Sequence, residues 1–134
     1  MADLTLRQVE PDVVAMVVSG EWDLADEQDA LRTWGAVLNS GSPGFLLDLE
    51  ACTFMDSSAL RMLFDINRAA EENELRWGVL GSGPAVRRLF DVTNAEEALP
   101  IVHDREAAMD LARPSRTRRA MADRSPASTS TSGG

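Results

Sequence analysis

The sequence predicts an α/β fold, a single domain over residues 1–112 followed by a disordered tail over 113–134. The sheet is expected to be mixed and mostly parallel, with about four to five strands packed against about four helices. Three observations carry this reading. Short apolar runs alternate with segments of helical period, the first two runs are close enough to form a hairpin, and composition changes abruptly at Arg113-Pro114.

Taken in order, Leu4-Thr5-Leu6 alternates, and Val13 to Val18 is a continuous apolar run stopped by Ser19-Gly20, as in a buried strand. The pair reads as a hairpin about Pro11-Asp12. Leu24, Leu31, Trp34 and Leu38 recur at helical spacing, with Asp23 placed to cap the start and Asn39 to Gly41 to end the helix. Phe45 to Leu49 reads as a central strand that continues through Ala51 to Met55. From Ser57 to about Asn73, an apolar face of Ala59, Leu60, Leu63, Phe64 and Ile66 opposes a stripe of Arg61, Asp65, Arg68 and Glu72. That stripe alternates in sign and reads as a solvated helix face. Leu75 to Leu80 is the next strand, and Gly81-Ser82-Gly83-Pro84 opens a third helix with Val86, Leu89 and Phe90 inward. Leu99 to Val102 is a last short strand, and Asp104 caps a final helix ending near Ala112.

The chain has 134 residues, 44% of them hydrophobic, enough for one domain with a core. Residues 1–112 hold 8 Arg and 21 Asp plus Glu, a charge of -13, whereas residues 113–134 hold 5 Arg and one Asp, a charge of +4. An acidic body repels phosphates, so direct binding of nucleic acid is not expected. Beyond residue 113, Ser, Thr, Arg, Pro and Gly dominate, and Arg116, Arg118 and Arg119 are read as parts of a solvated tail. No run approaches the roughly 18 apolar residues of a membrane span, and Met1-Ala2-Asp3 does not resemble a signal peptide, so a cytoplasmic protein without membrane attachment is expected. Cys52 is the single cysteine, which excludes an internal disulfide and leaves no Cys-His cluster for a metal; it reads as a small core residue.

The stretch Phe54-Met55-Asp56-Ser57-Ser58-Ala59-Leu60 concentrates the chemistry. An apolar strand ends in an acid and two hydroxyls where a helix begins. Ser57 is therefore displayed beside unpaired backbone N–H groups, which suits a helix cap or an added phosphate. Catalysis by Ser57 requires a base, and His103, the single histidine, lies far along the chain at a strand end. The Gly-x-Ser-x-Gly elbow is absent, since Asp56 and Ala59 flank the serines. Gly81-Ser82-Gly83 lacks the Lys-Ser/Thr ending of a phosphate loop and reads as a turn before a helix. No enzyme class, cofactor or metal is nominated, and a serine hydrolase remains a distant alternative.

Three motifs, in order, resemble the STAS domain family of bacterial anti-sigma factor antagonists. The Asp-Ser-Ser junction after Leu47-Asp48-Leu49 is the first; Gly20-Glu21-Trp22-Asp23 is similar to the family's Gly-Glu-Leu-Asp turn; Pro84 to Phe90 is similar to its third-helix motif. The resemblance covers about residues 4–112. It implies a STAS-like domain and a partner switch: an anti-sigma factor with serine kinase activity phosphorylates the serine after the Asp, here Ser57, and a PPM-type phosphatase removes the phosphate. By the same match Asp56, Ser58, Ala59, Glu21, Trp22 and Asp23 form the partner-binding surface. Ser58 is expected to bond locally in the first helical turn. Ala59 stands where the family has Gly and is expected to place a methyl near the partner; Trp22 replaces a smaller Leu, as an interface anchor or as a cover for the sheet edge. A STAS module in a larger signalling or transport assembly, without a phosphorylation cycle, is the second expectation.

Overall fold

A computed structural model describes residues 1–114. Among them lie five strands and four α-helices: β1 (Ala2–Glu10), β2 (Val13–Trp22), α1 (Glu27–Asn39), β3 (Gly44–Met55), α2 (Ser57–Glu72), β4 (Arg76–Leu80), α3 (Pro84–Thr93), β5 (Ile101–Val102) and α4 (Arg105–Ala112). Short 3-10 turns at Leu24–Asp26 and Ala95–Glu97 precede α1 and β5. This is the predicted α/β fold, with β1 and β2 longer than the apolar runs suggested and β4 and β5 shorter.

The strands lie in the order β1-β2-β3-β4-β5. β1 and β2 form the antiparallel hairpin, while β2, β3, β4 and β5 run parallel. Each parallel step is a crossover through one helix. Right-handed crossovers that always advance in the same direction leave their helices on one face. Accordingly α1, α2 and α3 bury Ala30, Trp34, Val37, Leu63, Ile66, Val86 and Phe90 against Val14, Met16, Val18, Phe45, Leu47 and Val79. α4 covers the opposite face, where Ala108, Met109 and Ala112 meet Val13, Ala15, Leu46 and Leu80. Between the layers Phe45 lies between two tryptophans, with ring centres 5.1 Å from Trp34 and 6.1 Å from Trp77. The Trp77 indole N–H donates to Asn67 Oδ1 on α2 at 3.1 Å, so its polar edge is satisfied.

Geometry demands glycine at several positions, among them Gly20 and Gly81. Gly20 has φ +87°, at a break in the β2–β3 register, and a Cβ there would stand 2.9 Å from the Met1 carbonyl oxygen. A Cβ on Gly81 would stand 2.7 Å from the Phe90 ring, which closes over the end of β4. Gly83 is the N-cap of α3, with Pro84 in the first turn, so the glycine-rich stretch is a helix entry.

The first helix departs from expectation. Leu24 belongs to the 3-10 turn, and Leu24, Leu31 and Leu38 are all exposed, whereas Ala30, Trp34 and Val37 face the core. Of the expected stripe only Trp34 is buried, over Phe45, with Ala30 and Val37 beside it on the core face. Phe64 is likewise partly exposed, its place on the inner face of α2 taken by Met62.

The start of the expected tail also changes. Arg113 ends α4 and its guanidinium forks onto Glu10, Nε to Oε1 at 2.9 Å and Nη2 to Oε2 at 2.8 Å, with Nη1 reaching Glu106 and Asp110. It therefore belongs to the folded domain and ties the last helix to the hairpin. Residues 115–134, and the tail expected there, lie outside the described residues. Phe45→Ala should lower stability by about 3–5 kcal/mol, because it empties a fully buried site between two rings; the midpoint of urea unfolding at unchanged slope measures this.

Candidate functional site

The serine junction lies at the carboxyl end of the central strand β3, where parallel sheets carry their sites. Asp56 is the N-cap of α2, with extended backbone at φ -101°, ψ -176°. Its Oδ1 accepts from the Ser58 N–H at 3.0 Å, the Ala59 N–H at 3.1 Å and the Ser58 hydroxyl at 2.6 Å. Its Oδ2 accepts from the Leu24 N–H at 3.1 Å, and its own N–H donates to the Trp22 carbonyl oxygen at 3.2 Å. One carboxylate thus closes the first turn of α2 and fastens it to the turn after β2. Partial burial acts to raise the Asp56 pKa, but donation from the Ser58 hydroxyl and from the Ala59, Leu24 and Ser58 N–H groups outweighs it and holds the carboxyl below its ordinary value.

Since Asp56 performs the capping, Ser57 does not. It is the first helical residue, exposed, and its hydroxyl has no hydrogen-bond partner among the described residues. Ser58 differs from it: its hydroxyl is spent on Asp56, the expected local bond. Arg61, one turn beyond Ser57, is exposed and forms no ion pair among the described residues. Ser57, Leu60, Arg61, Phe64 and Arg68 border one shallow recess on the outer side of α2.

The second motif meets the first at this junction. Asp23 Oδ1 accepts from the Ala25 N–H at 3.0 Å, while Asp26 Oδ2 accepts from the Asp23 N–H at 3.2 Å, a reciprocal capping box around the 3-10 turn. Asp26 is 1% exposed and also accepts from the Ala2 N–H at 3.1 Å, pinning the start of β1. The spacing Asp23-x-x-Asp26 is the signal in the sequence that marks this residue. Glu21 is exposed and pairs in register with Phe54, which is itself exposed. A depression of about 330 Å³ separates the turn from α2, bordered by Asp23, Glu27, Leu31, Ser58, Arg61 and Asp65.

Two expected partner contacts are corrected. Trp22 is 1% exposed, paired with Met55 and packed in the main core, so it is no surface anchor. The exposed apolar side chains next to the junction are Phe54 and Leu24, the latter held there by its N–H bond to Asp56. Ala59 is 2% exposed and belongs to the same core, so its methyl fills space beneath the cap and does not face a partner. Both residues lie under the site, Trp22 as part of the floor of the depression between the turn and α2.

Other polar groups lie elsewhere. His103 follows β5, its ring bonded to the Gly81 carbonyl oxygen through Nδ1 and to Glu96 through Nε2, and not to Ser57. Cys52 is buried, and its Sγ donates to the Phe54 carbonyl oxygen at 3.3 Å; burial pushes its thiol pKa up, which leaves it protonated. Among the described residues no group of His, Cys, Asp and Glu is arranged to hold a metal ion, and no helix is long and apolar enough to cross a membrane.

The site is thus a capped Asp-Ser-Ser helix start at the carboxyl end of a parallel strand, next to an acidic turn. A family model described as "Mlab, STAS domain" matches residues 5–103, and the chain belongs to the STAS domain family. No curated protein sequence matches it. The fold is similar to an anti-sigma factor antagonist from Mycobacterium paratuberculosis, 26% identical, with a TM-score of 0.68 over 83% of this chain and 94% of that one. It is also similar to the anti-sigma factor antagonist SpoIIAA in its unphosphorylated form, 24% identical, TM-score 0.60, over 81% and 96% of the two chains. The phosphorylated form of the Bacillus cell fate determinant SpoIIAA has the same fold, at 24% identity and a TM-score of 0.58 over 78% and 96%.

Asp56→Ala should cost about 1–2 kcal/mol of stability, from loss of the cap. The depressed carboxyl contributes fully above the unfolded value near pH 4, and the contribution fades as pH falls through the lower folded value. Thermal unfolding of both proteins between pH 7 and pH 2.5 should show a constant gap above about pH 5 that narrows below about pH 4.

Proposed function

We propose that this protein is an anti-sigma factor antagonist that works by partner switching, with Ser57 as the phosphorylated residue. Unmodified, it binds an anti-sigma factor that is also a serine kinase, and so frees a sigma factor; phosphorylation by that kinase dissolves the complex, and a PPM-type phosphatase resets it. Family membership and the likeness to the Mycobacterium paratuberculosis antagonist support the role. The observation that carries the choice of residue is the free hydroxyl of Ser57, exposed on a helix start whose capping is done by Asp56. Such a role belongs to the cytoplasm, where sigma factors meet RNA polymerase.

Physical magnitudes suit a switch. Phosphate adds a charge of about -1.5 to -2, and at the first turn of a helix it is stabilised by about 0.3–1 kcal/mol. Arg61 offers it a cation at i+4, so the fold survives modification. A docking surface formed by Glu21, Leu24, Asp23 and Ser57, already acidic, instead gains charge at its centre. If the partner's matching surface packs closely against the hydroxyl, the added charge opposes docking by several kcal/mol. Asp56, Ser58, Ala59 and Trp22 act beneath that surface, by holding it in place.

A second reading is a STAS module in a larger assembly that binds without a phosphorylation cycle; the family model's own description, which names Mlab rather than a sigma regulator, favours considering it. A serine hydrolase at Ser57 has no support from the placement of His103.

Ser57→Ala should retain partner binding and take up no phosphate, whereas Ser57→Asp should weaken binding by roughly 3 kcal/mol, about a hundredfold. Capture from native lysate with the two variants as baits, followed by a kinase assay on the captured protein, measures both. Wild-type phosphate uptake by Ser57→Ala overturns the site; capture of a protein that carries no kinase activity and leaves Ser57 unmodified favours the second reading.

A further inference from the structure

We propose that the outer edge of β1 pairs with the same edge of a second copy of this chain, antiparallel, about a twofold axis at Thr5. The inference is independent of the proposed function. β1 is the end strand of the sheet and, among the described residues, pairs with no strand but β2, the N–H of its first residue being taken by Asp26. From Asp3 to Gln8 every second N–H and C=O therefore points away from β2, with no strand beside it among the described residues. Natural edges of this length are blocked by a proline, charged side chains, a bulge or a covering element; β1 carries no proline, its bulge lies at the far end between Gln8 and Glu10, and the charges before it, Asp3 and Arg7, are of opposite sign.

The strand is its own complement. Side chains alternate between faces, so Leu4 and Leu6 share one face and Asp3, Thr5 and Arg7 the other. With the twofold at Thr5 and perpendicular to the sheet, Asp3 stands opposite Arg7 of the second copy and Leu4 opposite Leu6, and each pair occurs twice. Facing side chains in such a ladder lie about 4.5–5.5 Å apart at Cβ, within reach of ion pairing and apolar contact. Leu6 is 41% exposed and Leu4 partly buried against the main core, so the second copy's leucine extends that core over the edge. Asp3 and Arg7 are exposed, and neither has an ion-pair partner among the described residues.

The register is selective. Moving the axis to Leu4 or to Leu6 keeps the faces matched but sets Asp3 against Thr5 or Val9, and both ion pairs vanish. The product is one continuous sheet with the three crossover helices of each copy on the same side. Ser57, at the β3–α2 junction two strands from the edge, stays open in both copies.

Sedimentation equilibrium of the wild-type protein should give a mass that rises with concentration towards two chains. Leu6→Lys and Asp3→Arg should each raise the dissociation constant about tenfold or more, and Asp3→Arg combined with Arg7→Asp should restore it. Under mild oxidation Thr5→Cys should link to itself, because only the residue on the axis faces its own copy, whereas Arg7→Cys should not; Cys52 is buried and does not interfere. A single-chain mass at every concentration up to millimolar overturns the proposal. So does Arg7→Cys linking as fast as Thr5→Cys, or a double reversal that stays as weak as Asp3→Arg.

Discussion

The Asp56 carboxylate is the interaction on which the site depends. Four hydrogen bonds converge on it, three from the first turn of α2 and one from Leu24 in the turn after β2. Beyond the β2–β3 ladder, which ends at Trp22 and Met55, and the backbone bond from the Asp56 N–H to the Trp22 carbonyl oxygen, it is this carboxylate that joins the helix start to the turn. With it, helix start and turn move as one body. A helix N-terminus needs an acceptor, and an ionised acid supplies the strongest one available to a side chain. The neighbouring hydroxyl of Ser57 is thereby released from structural duty and left facing solvent.

Beneath this junction the core explains the positions of residues that look functional in isolation. Trp22, Met55 and Ala59 all belong to the buried cluster under the cap. The site is therefore a thin polar layer over a packed floor, and changes in the floor reach the surface through the cap. On the other face of the sheet, Arg105 binds Asp48 and Glu50, each at 2.7 Å, and compensates a carboxylate that is otherwise nearly buried. Arg113 similarly joins α4 to the end of β1. The two arginines fasten the short last helix, which by itself buries few side chains.

The order of strands and helices was legible because it is written in local periodicity and punctuation. Continuous apolar runs such as Val13 to Val18 can bury both faces only as inner strands, and Asp104 and Pro84 mark helix starts with bonds made within a few residues. The serine junction was legible for the same reason. The identity of the residues that reach the surface was not. Leu24, Leu31 and Leu38 carry a helical period, yet their burial depends on how Trp34 settles over Phe45, a contact between segments far apart in the chain. Asp26 left a faint mark in its spacing from Asp23, but its bond to Ala2 joins residues that no local pattern relates.

By itself the sequence determined the α/β order, the hairpin, a helix starting at Ser57 and the display of its hydroxyl, since each follows from chain-local chemistry: strand period, helical period and the missing donors of a first turn. Only the tertiary structure decided that Asp56 reaches across to Leu24, that Trp22 and Ala59 lie inside, that Leu24 lies outside, and that Arg113 closes the domain on Glu10. Those outcomes depend on which segments become neighbours. A side chain's environment is set by what packs against it, and that is a property of the assembled sheet, not of the stretch of chain that carries it.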